Sequence, residues 1–155
     1  MRLHNKSLVM DKVEFLILRN LLYNEEYVRK VLPFVKGDYF EDRNQRIVFE
    51  EISKFVQDYN EPATKEVLCI ETEKRNDIND TSFKEITQLI GYLEDQPTEF
   101  NWLVDTTEKW CRDRAIYFAL MESIQLADGK DATKGRDAIP TILSDALAVS
   151  FDSNV

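Results

Sequence analysis

From Phe100 to Ala127 the chain runs without a glycine or a proline. At 1.5 Å per residue, an unbroken helix over that stretch is a rod of roughly 40 Å. Such a rod outruns any head of short helices that the rest of the chain can build. Leu103, Trp110, Tyr117 and Ile124 recur along it every seven residues, with Met121 beside them. The spacing predicts an apolar seam along one helix face. Only four glycines and four prolines occur in 155 residues, too few for the many tight turns of an all-β chain. The fold class read from the sequence is therefore all-α.

The segment after the rod gives the seam a partner. GKDATKGRD, residues 129–137, is a polar turn with two glycines. Beyond it, Ile139, Ile142, Leu143, Ala146, Leu147 and Phe151 fall three and four apart and predict a second apolar stripe. Asp137 is placed to cap this helix, and Pro140 lies in its first turn, where a missing N–H costs little. Two amphipathic helices joined by a short polar loop predict an antiparallel hairpin over residues 98–155. In it Ile142, Leu143, Leu147 and Phe151 are expected to bury near Trp110, Tyr117, Met121 and Ile124. Trp102, Cys111, Phe118 and Leu120 lie off the seam, available to a head or to another subunit.

Residues 1–97 read as a head of five helices. The first covers 8–22, with Val9, Val13, Leu16, Leu21 and Leu22 inward. Asn24 caps the second, whose opening glutamates suit the helix dipole, and Pro33 and Gly37 close it. The third covers 42–59, with Val48, Ile52, Phe55, Val56 and Tyr59 inward. Thr64 caps the fourth, through about Lys74. Ser82 and Glu85 form a capping box for the fifth, which ends near Gln96-Pro97 and buries Phe83, Ile86, Leu89, Ile90 and Leu93.

Several function classes are disfavoured. The net charge is −9 and the pI about 4.7, with basic residues scattered among acids, whereas a grip on DNA phosphates needs clustered Lys and Arg. The one histidine, His4, and two distant cysteines, Cys69 and Cys111, give no zinc spacing, and the cysteines read as reduced packing residues. No phosphate-binding loop and no nucleophile elbow occur. The acid pairs Glu25/Glu26, Glu41/Asp42 and Glu50/Glu51 read as solvated carboxylates. No catalytic or metal residue is assigned. No apolar run suits a membrane span, and the N-terminus lacks a signal-peptide core.

VLPFVKGDYFEDRNQRIVFEEI, residues 31–52, carries an acidic-aromatic-aromatic triplet, Asp38, Tyr39 and Phe40, then Arg43 to Arg46, then Ile47 and Phe49. The proline-bearing break YNEPATKEVL comes next. Together with the ending AIPTILSDALAVSFDSNV, this resembles the N-terminal domain of DnaB-type replicative helicases, in the branch of the T-even phages. The resemblance covers nearly the whole chain. It implies a head, with Tyr39, Phe40, Ile47 and Phe49 in its core, and a hairpin that makes the subunit contact. It further implies a non-catalytic collar domain that assembles a hexameric ring, often as a trimer of dimers, and docks primase and a helicase loader in the cytoplasm of an infected bacterium. DNA would be held weakly or through the full ring. No cofactor is expected here: ATP and Mg would belong to a motor domain beyond a linker, and the chain is expected to stop where that linker begins. The alternative is a free-standing phage replication adaptor or helicase loader that binds single-stranded DNA or its coating protein. Such a loader needs a basic face interleaved with aromatics, which this chain lacks.

Overall fold

Asn24, Asp42, Thr64 and Asn79 each lend a side-chain oxygen to a main-chain N–H three residues on, at 2.8–3.2 Å. These caps divide the first part of the chain into short helices. In the computed structural model, which describes residues 12–131 and 133–152, the helices are α1 (Lys12–Tyr23), α2 (Glu25–Val31), α3 (Arg43–Tyr59), α4 (Lys65–Glu73), α5 (Asp80–Tyr92), α6 (Phe100–Ala127) and α7 (Ile139–Leu147). Three short 3-10 turns accompany them, and no strand occurs among the described residues. The described residues form two compact units, which meet in the sequence between Val104 and Asp105, inside the long helix.

In the first unit α3 is the central element, packed on α1, α4, α5 and the turn Gly37–Tyr39. Ile17, Leu18, Leu21, Tyr27, Phe40, Ile47, Ile52, Leu68, Ile86 and Ile90 are almost wholly removed from solvent. The turn delivers Tyr39 and Phe40 to this core. Phe40 meets Phe49 at 5.3 Å between ring centroids, and Arg46 donates to the Phe40 carbonyl at 3.2 Å. Asn60 ends α3 in the left-handed conformation at φ 54°, a role asparagine fills when glycine does not. The extended stretch after α5 is tied to α1: the Tyr23 hydroxyl donates to the Leu93 carbonyl, and Arg19 donates to Gln96 and Thr98.

Several local expectations are corrected. The core face of α1 is Ile17, Leu18, Leu21 and Leu22; Val13 and Leu16 are only half-buried, and Val9 lies outside the described residues. On α3, Phe55 and Val56 are half-buried and Tyr59 is exposed. Helix α5 begins at Asp80 under an Asn79 cap, so Ser82 receives the cap rather than providing it, and the helix stops at Tyr92. Asp137 does not cap α7; a 3-10 turn, Arg136–Ala138, leads into it, with Pro140 in the first turn as expected.

Helix α6 has the bounds that the glycine- and proline-free stretch predicts. The Glu99 carboxylate accepts from the N–H groups of Asn101 and Trp102 at its start. At its end Gly129, at φ 72°, donates to the Leu126 carbonyl, and Lys130 N–H reaches back to Gln125. These are the paired bonds of a Schellman stop. Arg136 adds a bond to the Ala127 carbonyl at 3.0 Å, a cation at the negative end of the helix.

Candidate functional site

The return of the chain along α6 is fixed by a series of polar contacts within the second unit. Arg136 bonds the Ala127 carbonyl, and Lys134 pairs with Glu122 at 2.9 Å. Arg112 donates to the Val149 carbonyl at 3.0 Å. Glu108 accepts from the Phe151 N–H at 2.6 Å and from the Ser150 hydroxyl at 3.2 Å. From Arg136 onward, rising positions on the return segment meet falling positions on α6 (Ala127, then Arg112, then Glu108), so the hairpin is antiparallel.

Helical geometry shows which side of α6 this covers. At about 100° per residue, Glu108, Arg112 and Glu122 share one side, and Tyr117, Met121 and Ile124 share the opposite one within about 60°. Ala119, Ser123 and Leu126 are buried and lie on the Glu108 side. On the other side Tyr117, Met121 and Ile124 are 47%, 44% and 54% exposed, flanked by exposed Leu120 and Phe118. The seven-residue seam therefore does not run along the inside of the hairpin: Leu103 and Trp110 are buried, whereas Tyr117 and Ile124 face solvent. Among the off-seam residues Cys111 is buried, and Trp102 is exposed.

The stripe on α7 divides as well. Ala146 is buried and Ile142 and Leu143 are half-buried. Leu147, one residue or about 100° past Ala146, lies on the flank and is 64% exposed, so its expected burial within the chain is corrected. Phe151 is buried.

The outward face of α6 is an apolar ridge about two helical turns long. Tyr117 and Phe118 meet edge to face at 5.4 Å between centroids. The Arg114 guanidinium lies 4.9 Å and 5.2 Å from their ring centres. Aromatics, methionine, arginine and branched aliphatics in one exposed patch match the composition of protein interfaces. Size marks the wrong side here: the inner face includes a run of small residues, Ala115, Ala119 and Ser123, spaced four apart. That spacing is the signal that identifies it.

The other candidates have structural surroundings. Tyr39, Phe40, Ile47 and Phe49 are buried in the first unit. Of the acid pairs, Glu51 is buried and bonded by Arg75 at 2.6 Å; Arg75 also holds Glu50 at 3.1 Å and grips Asp77 through two nitrogens. These bonds raise the Arg75 pKa further and pull that of Asp77 below the usual carboxylate range. Glu25, Glu26, Glu41 and Asp42 are exposed. Burial, helped by the Glu108 charge, pushes the Cys111 thiol up to about 12. His4 lies outside the described residues. Among the described residues no group of three or more His, Cys, Asp and Glu is placed to hold a metal, and no helix is long and apolar enough to cross a membrane.

No family model matches the chain. It is similar to the DnaB-like replicative helicase of Enterobacteria phage T4, at 29% identity over 148 residues, which make up 90% of this chain and 31% of that protein. The chain thus spans less than a third of the length of this relative.

Proposed function

We propose that the chain is a non-catalytic assembly domain, the collar tier of a phage replicative DNA helicase, which brings subunits into a ring and docks primase and a helicase loader. The ridge of Tyr117, Met121 and Ile124 carries this reading: these large apolar side chains lie on the side of α6 away from the returning chain and have no covering layer. Similarity to a phage helicase over most of the chain supports a role in replication. In this reading ATP and Mg belong to the motor of the longer helicase, DNA is held by the whole ring, and the protein works in the cytoplasm of the infected bacterium.

The test is native mass spectrometry and sedimentation of the chain over a wide concentration range, beside Tyr117→Glu. The mass is expected to rise with concentration for the unaltered chain. Tyr117→Glu is expected to remain a monomer with the same helicity. A chain that stays monomeric at every concentration overturns the assembly role.

A further inference from the structure

A groove of about 330 Å³ opens in the first unit between the C-terminal half of α3 and α4. Its lining is apolar: Phe55 and Tyr59 stack at 4.8 Å between centroids on α3, and α4 adds Val67 and Ile70. Tyr59 and Ile70 are more than half exposed, so the lining is open to solvent. The two lysines on the rim already share one carboxylate. Lys74 bonds Glu71 at 2.9 Å, and that bond, with the nearby charges of Lys74 and Lys54, lowers the Glu71 pKa. Asp58 on the same rim has no ion-pair partner among the described residues, and neither have Glu66 and Glu73. Glu66, Ile70 and Glu73 are exposed and follow the i, i+4, i+7 spacing, so they share one stripe of α4.

We propose that this groove docks a basic amphipathic helix from a different protein. The site lies wholly within the first unit and does not depend on the α6 ridge. Apolar anchors at i, i+4 and i+7 are the means by which a helix enters a groove between two others, and Phe55, Tyr59, Val67 and Ile70 are the surface that they would meet. Lys or Arg beside those anchors would meet Asp58, Glu66 and Glu73, three carboxylates that no cation of this chain neutralises. Such a rim steers a cationic segment in and turns an anionic one away. The same charge argues against two other occupants. A second copy brings a net charge of −9, and a nucleic acid brings its phosphates. Helix α4 is nine residues long, so the docked helix spans about three turns.

The test uses fluorescence anisotropy with a panel of labelled amphipathic peptides of about 15 residues, roughly four helical turns. Each carries leucines at i, i+4 and i+7, flanked by lysines in one set and by glutamates in the other. The lysine set is expected to bind saturably, and the glutamate set at least tenfold more weakly. Ile70→Ser removes an apolar contact, and Glu66→Lys with Glu73→Lys reverses the rim; each is expected to weaken binding at least tenfold. All three positions are exposed, and circular dichroism checks that the variants stay folded. Asp95→Lys with Asp105→Lys makes the same change in net charge at exposed positions outside the groove and is expected to leave binding within twofold. If this control weakens binding as much as the rim reversal, or Ile70→Ser has no effect, the peptides feel only the overall charge and the proposal falls. It also falls if no lysine peptide binds, or if excess unlabelled chain or an oligonucleotide displaces the peptide at physiological ionic strength, since the groove then takes a second copy or nucleic acid.

Discussion

Glu108 and Tyr117 lie nine residues apart, half a turn out of phase, and so point to opposite sides of α6. Glu108 takes the Phe151 N–H at 2.6 Å and binds the returning chain, while Tyr117 faces solvent beneath the Arg114 guanidinium. Removing the Glu108 carboxylate therefore acts on the hairpin and leaves the ridge intact. Glu108→Ala is expected to cost roughly 1.5–3 kcal/mol, the range for hydrogen bonds to a charged group. Hydrogen exchange checks it: the Phe151 amide should lose its protection while amides in the middle of α6 keep theirs. Unchanged exchange at Phe151 would show that the clasp contributes nothing.

Leu147 and Ala146 are neighbours with opposite expectations. Leu147→Ala should change stability by less than about 0.5 kcal/mol at low protein concentration, as exposed substitutions do. Ala146→Leu should cost roughly 1–3 kcal/mol by overpacking. Thermal melting of both variants distinguishes them, and equal effects would contradict the placement of the α7 stripe.

Arg75 is the partner that makes a buried Glu51 tolerable. Arg75→Met should cost about 3 kcal/mol, because it leaves that carboxylate without its cation. Adding Glu51→Gln should recover part of the loss, which urea melts of the single and double variants will measure. The sign of the acid dependence comes from Asp77. Its folded pKa lies below the unfolded value of 3.8, so its contribution is present above that value and is lost as the pH falls through the folded one. Arg75→Met should flatten that part of the acid-stability profile.

Cys111 gives the opposite sign at the alkaline end. Its thiol ionises near 9.0 unfolded and about 12 folded, so between these values the unfolded chain has lost a proton that the folded chain keeps. Stability should fall as pH rises through this window, by up to about 1.4 kcal/mol per pH unit, and Cys111→Ala should remove the slope. At neutral pH a thiol reagent should modify Cys111 only after unfolding. Rapid labelling of the native chain at Cys111, told apart from the half-buried Cys69 by peptide mass, would contradict its burial.

DNA binding should be weak and insensitive to sequence. At a net charge of −9 any contact comes from a local patch and should fade steeply with salt. Tight binding of a short single strand at physiological ionic strength would favour a loader over a collar. Fluorescence anisotropy with a labelled oligonucleotide measures this.

The α6 boundaries were legible because nothing in Phe100–Ala127 can break a helix, and the caps at Asn24 and Thr64 because a short polar side chain stands before an apolar pattern. The Asn79 cap was hidden by the Ser82–Glu85 pattern one turn later. The inner face of the hairpin was misread for a deeper reason. Periodicity locates apolar residues but does not say which molecule covers them, and here the small residues close the hairpin while Tyr117 and Ile124 face outward. Tyr59 reads as a core residue at the end of the α3 pattern, and only the packing of α3 on its neighbours shows that it stays 66% exposed.

The ladder of contacts along the hairpin also orders its formation in time. Arg136 reaches Ala127 across nine residues of chain and Lys134 reaches Glu122 across twelve, whereas the Val149 and Phe151 contacts span 37 and 43. The entropy of closing a loop rises with its length, so the contacts next to the Gly129 turn are the cheapest to make first, and each shortens the loop left for the next. The hairpin therefore zips from its turn toward Phe151 and frays in the reverse direction. Glu108 is the last residue to capture the chain and the first to release it.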